Sequence, residues 1–90
     1  MRVARRYVIR GHVQGVGFRM YAAAAARHEG LSGWVANRAD GTVEAQAEGE
    51  AEAVTRFERR LRQGPPGARV DAVEAEDDVP SERWTGFSTR

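Results

Sequence analysis

The sequence predicts an α+β fold, a two-layer sandwich in which two helices cover one face of an antiparallel sheet of four or five strands. Three observations predict it. Apolar residues switch between strand and helix periods in the order β-α-β-β-α-β, the split βαβ arrangement. A loop carrying Gly11, Gly15 and Gly17 joins the first strand to the first helix, and Ala39-Asp40-Gly41 separates the two middle strands as a hairpin turn.

In residues 3–11, Val3, Tyr7 and Ile9 share one parity while Arg6 and Arg10 take the other, as a half-buried strand requires. Residues 18–29 are the strongest helix-forming stretch, with Met20, Tyr21, Ala24, Ala25 and His28 at helical spacing and Gly30 as the stop. The many alanines let this helix lie close to the sheet. Residues 31–38, centred on Gly33-Trp34-Val35, and residues 42–48, alternating Val43, Ala45 and Ala47 with polar neighbours, form the hairpin. Residues 50–62 gather Ala53, Val54, Phe57 and Leu61 on one face, with acids in the first turns and arginines in the last, matching the helix dipole. Gly64-Pro65-Pro66 ends that helix. Residues 70–76 read as a weaker fourth strand and residues 84–90 as a short closing one, while the acidic, proline-containing stretch 74–80 reads as a surface connection.

Composition bounds the function. Ninety residues, 41% of them hydrophobic, suit one domain, residues 1–90, with a modest core. A net charge of +1 supplies no overall field toward nucleic acid or an anionic membrane, so anion binding has to be local. The chain has no cysteine, which removes disulfides, thiolate metal sites and cysteine-nucleophile chemistry. Arginines interrupt the N-terminal apolar residues and no run approaches a membrane span, so the expectation is a cytoplasmic protein with no membrane partner.

The loop is the chemical signal. Gly11-His12-Val13-Gln14-Gly15-Val16-Gly17-Phe18-Arg19 lets the backbone turn with positive φ and brings successive amides toward one anion. Arg19 adds a planar, permanently charged fork in the first helical turn. Two familiar phosphate motifs fail on the same residues. The dinucleotide pattern beginning at Gly15 and Gly17 meets Met20 where its third glycine belongs, and a Walker loop needs a lysine, whereas all 14 basic residues here are arginine.

Together with Gly33-Trp34-Val35-Ala36-Asn37-Arg38-Ala39-Asp40-Gly41-Thr42-Val43-Glu44, the glycine loop resembles the two signature segments of the acylphosphatase family. The resemblance extends over nearly the whole chain, Gly64-Pro65-Pro66 included, and is loose only in the C-terminal tail. It implies a ferredoxin-like sandwich and hydrolysis of an acyl phosphate, the carboxyl–phosphate mixed anhydride, to a carboxylate and inorganic phosphate. The resemblance implies no metal and no cofactor. It makes Arg19 the phosphate clamp, the amides of Gly15, Val16, Gly17 and Phe18 the cradle, and Asn37 the group that orients water. The expected partner is therefore a small-molecule acyl phosphate, bound by a monomer.

Other residues carry plainer readings. His12 and His28 have no second ligand at metal spacing, and Tyr7, Trp34 and Phe57 fit core or sheet-surface positions. Arg56, Arg59, Arg60 and Arg62 fit an exposed helix face beside Glu52 and Glu58. The same element order also supports RNA-binding modules, but residues 42–48 lack the aromatics such a module stacks on bases and contain two glutamates. A further alternative is a module that binds acyl or carbamoyl phosphate without turning it over. Arg19 and Asn37 together favour catalysis.

Overall fold

Alternation drives the chain into strands wherever branched or small apolar residues face one side and charges the other. The computed structural model describes residues 1–90, with β1 at Arg2–His12, α1 at Phe18–His28, β2 at Ser32–Asn37, β3 at Val43–Glu50, α2 at Ala51–Gln63, β4 at Arg69–Asp78 and β5 at Phe87–Thr89. These elements follow the expected order. The strands form one sheet in the order β4-β1-β3-β2-β5. Tyr7 and Ile9 of β1, Val35 of β2, and Val43, Ala45 and Ala47 of β3 supply its buried face. Against it α2 lays Ala53, Val54, Phe57 and Leu61, all four buried as their spacing predicts. Phe57 is fully buried, its ring meeting the edges of Tyr7 at 5.9 Å and Phe87 at 5.7 Å between centroids.

Three details differ from the expectation. The predicted stripe on α1 is out of phase: the helix buries Phe18, Ala22, Ala23, Ala25 and Ala26, while Met20, Ala24 and His28 are exposed. An alanine run has no phase of its own, and the one large apolar group at the helix start, Phe18, rotates the rest by sinking into the core. The acids from Glu74 to Asp78 belong to β4 instead of a connection. Arginines on β1 explain this, since Arg10 Nε donates to Glu74 at 3.0 Å and Arg5 Nε to Asp77 at 3.0 Å across the strand pair. Finally, the sheet is mixed. β1, β2, β3 and β4 pair antiparallel, but β5 runs parallel to β2.

The parallel strand follows from the route of residues 79–86. They leave β4 at one edge and cross the sheet face opposite the helices to reach the other edge, where β5 joins β2. One buried carboxylate holds this crossing. Glu48 of β3, its side chain 0% exposed, accepts hydrogen bonds from the amides of Ser81 at 2.9 Å and Glu82 at 2.7 Å and from Arg2 at 3.4 Å. Burial pushes its pKa up, but those two amides and Arg2 outweigh burial and hold it below the ordinary glutamate value.

A folded pKa below the unfolded one contributes stability above the unfolded value near 4.5, and that contribution is lost as pH falls through the folded value. Glu48→Gln keeps one acceptor but turns an NH2 toward the other donor, so at pH 7 it melts lower by roughly 5 °C. The gap to wild type narrows below pH 4.5, as paired thermal unfolding curves measure.

Candidate active site

The glycine loop lies between two buried anchors. Val13 is 1% exposed and Phe18 2%, so the chain between them is pinned at both ends while its polar backbone stays at the surface. Gly15 has φ 75° and Gly17 φ 77°, left-handed values that side-chain-bearing residues rarely take. Gly17 is the N-cap of α1, with no side-chain cap and no acid in the first turn, so the positive end of the helix dipole is not neutralised. No carbonyl or side chain of the protein accepts a hydrogen bond from the amides of Gly15, Val16, Gly17 or Phe18. Four adjacent donors therefore have no internal partner.

Three of these four residues, Gly15, Gly17 and Phe18, border a cleft of about 290 Å³ whose lining is completed by Val13, Arg19, Met20, Asn37 and Thr89. Five of the six sequence-predicted site residues line it. Val16 does not; its side chain packs against the core beside the cleft. Arg19 is the one charged side chain in the lining, which contains no Asp or Glu. Its Nη1 donates to the carbonyl oxygen of Arg90 at 2.9 Å. That carbonyl is fixed in turn, because the Arg90 amide donates to Val35 at 2.8 Å and its guanidinium lies over Trp34 at 4.7 Å and Trp84 at 5.1 Å. The residue directly after β5 thus helps to aim Arg19.

Asn37 ends β2 and reaches the same cleft from the sheet. The turn after it is closed by the Arg38 amide on the Thr42 carbonyl at 2.8 Å and by Asp40, whose Oδ1 accepts from the Thr42 amide at 3.0 Å and hydroxyl at 2.7 Å. That hydroxyl, then that amide, hold the Asp40 carboxyl below its ordinary pKa. Gln14 bridges loop and turn, its Nε2 donating to the carbonyls of Arg38 at 2.7 Å and Thr42 at 3.0 Å. Gln14, Met20 and Thr89 were missed by the sequence reading. Only Gln14 carried a signal, an amide side chain inside the glycine motif. No three His, Asp or Glu side chains gather as a metal-ligand set.

Open space surrounds the position a Cβ would take at Gly17, so its substitution acts through backbone conformation alone. Gly17→Ala is expected to cost about 1–2 kcal/mol, the left-handed penalty for an L-residue. Urea unfolding checks this, and an unchanged midpoint would show that the turn tolerates a side chain.

A family model described as Acylphosphatase matches residues 5–89. An acylphosphatase of Anaeromyxobacter dehalogenans is 53% identical over 89 residues, spanning 99% of this chain and 96% of its own. One of Rhizorhabdus wittichii is 50% identical over 89 residues, spanning 99% of this chain and 89% of its own. The crystal structure of acylphosphatase from Bacillus subtilis superposes with a TM-score of 0.94 at 35% identity, covering 98% of each chain. With the ferredoxin-like sandwich, the two signature segments and these relatives in agreement, the chain belongs to the acylphosphatase family, hydrolases that act on acid anhydrides.

Proposed function

We propose that this hydrolase cleaves acyl phosphates with Arg19 as the clamp, the amides of Gly15, Val16, Gly17 and Phe18 as the cradle, and Asn37 as the group that aims the attacking water. The loop then acts as a phosphate-binding loop. The observation that carries the reading is that the four amides have no protein acceptor and that three of their residues, Gly15, Gly17 and Phe18, line a cleft whose single charged side chain is Arg19.

The chemistry asks for little more. Amides and guanidinium bind the phosphoryl oxygens and stabilise the charge spread over them in the transition state. Water, accepted by the Asn37 carboxamide oxygen, attacks phosphorus in line with the leaving oxygen. The P–O bond to the acyl group breaks and its electron pair leaves on a carboxylate. The conjugate acid of that carboxylate has a pKa of about 4, so departure requires no general acid. The water's proton passes to a phosphoryl oxygen, giving inorganic phosphate. Asparagine does not titrate usefully, so it directs water without serving as a base. All these groups come from one chain, which supports a monomer acting on a diffusible small molecule, and we extend the proposal to a cytoplasmic location.

Phosphate release from benzoyl phosphate, assayed in buffer containing chelator, tests the scheme. Wild type turns over with a broad pH profile near neutrality. Arg19→Ala lowers turnover by roughly 10³-fold or more, in line with arginine and oxyanion-hole deletions elsewhere. Asn37→Ala lowers kcat strongly while the inhibition constant for inorganic phosphate stays close to wild type. Near-normal turnover in Arg19→Ala rejects the clamp, and loss of phosphate affinity in Asn37→Ala moves that residue into the cradle.

A further inference from the structure

We infer that Gln14 is a positioning residue that sets Asn37, and through it the attacking water, at a fixed distance from the phosphate cradle; this rests on the water-aiming role proposed for Asn37. The two halves of the site come from distant parts of the chain, the loop between β1 and α1 and the turn between β2 and β3. No other hydrogen bond joins residues 13–17 to residues 38–42. Both partners of Gln14 are carbonyl oxygens, which can only accept, so its Nε2 and not its Oε1 has to face them, and both amide hydrogens are used.

The location of the clasp makes it specific to water placement. On the loop side Gln14 lies between buried Val13 and Gly15, so it is fixed to the cradle. On the turn side it grips the carbonyl of Arg38, the residue directly after Asn37, and the Thr42 carbonyl that already closes the turn through the Arg38 amide. Loop conformation itself depends on Gly15 and Gly17 and on the two buried anchors, none of which requires Gln14. Loss of the clasp therefore leaves phosphate binding in place and releases Asn37 relative to it. A displacement on the order of 1 Å between reacting groups is enough to cost about 100-fold in rate.

The test compares wild type, Gln14→Met, Gln14→Ala, Asn37→Ala and Gln14→Met/Asn37→Ala for kcat on benzoyl phosphate, the inhibition constant of inorganic phosphate and thermal unfolding. Gln14→Met preserves length without a donor, and Gln14→Ala stands in if Met perturbs the fold. The expected result is a fall in kcat of about tenfold or more with phosphate inhibition changed less than about threefold. In the Asn37→Ala background the Gln14 change has no further effect on kcat, because the water it would place is already lost. Three results overturn the inference: unchanged kcat in Gln14→Met, phosphate affinity falling in step with kcat, or additive losses in the double variant. Wild-type turnover in Asn37→Ala alone would reject the water-aiming role first and the clasp with it, whereas a slow Asn37→Ala beside a normal Gln14→Met rejects the clasp only.

Discussion

Unsatisfied backbone amides are the constraint around which this molecule is arranged. Four consecutive residues, Gly15 to Phe18, carry N–H groups that no protein atom accepts, at the start of a helix whose dipole is left uncapped and uncompensated. In an ordinary loop such donors would be turned toward carbonyls or capped by a serine or aspartate. Here left-handed glycines hold the backbone open, and Val13 and Phe18 drive their side chains into the core on either side, so the fold itself maintains the unpaired donors. The burial of Phe18 also fixes the rotation of α1 and places Arg19 and Met20 at the rim.

The sheet delivers the remaining groups to that point. β1 runs beside both β3 and β4, so the loop at its end is held by the centre of the sheet, while β2 brings Asn37 from the adjacent hairpin. β5 completes the arrangement from the far edge, contributing Thr89 to the lining, and Arg90 directly after it offers its carbonyl to Arg19. Its path depends on Glu48, whose buried carboxylate gathers the amides of the crossing segment, and on Arg27 of α1, which donates to the Phe87 carbonyl at 2.8 Å. The same crossing covers the outer sheet face and leaves Trp34 only 6% exposed, so that ring is not presented for base stacking of the kind an RNA-binding module uses.

Much of this was legible in the residues. The element order, the buried face of α2 and most of the lining of the cleft followed from periodicity, glycine placement and the two signature segments. What was not legible has specific causes. The phase of α1 could not be read from a run of alanines, because it is set by a tertiary contact of Phe18. The acids of β4 looked like a connection until their cross-strand arginines were known. β5 is three residues long and parallel, and its pairing is decided by a crossing that Glu48 organises from elsewhere in the chain. Gln14 lay within the recognised motif, yet its partners are backbone carbonyls of Arg38 and Thr42 that only the fold brings near.

The proposed catalysis depends on unpaired main-chain donors and one guanidinium gripping a phosphoryl group. Following backbone amide resonances by NMR during titration with inorganic phosphate tests it most directly. If the loop binds phosphate, Gly15, Val16, Gly17 and Phe18 shift together along one saturating curve that Arg19→Ala abolishes. Fixed resonances at those four residues, with the shifts gathered instead on the arginine face of α2 around Arg56 and Arg59, would contradict it.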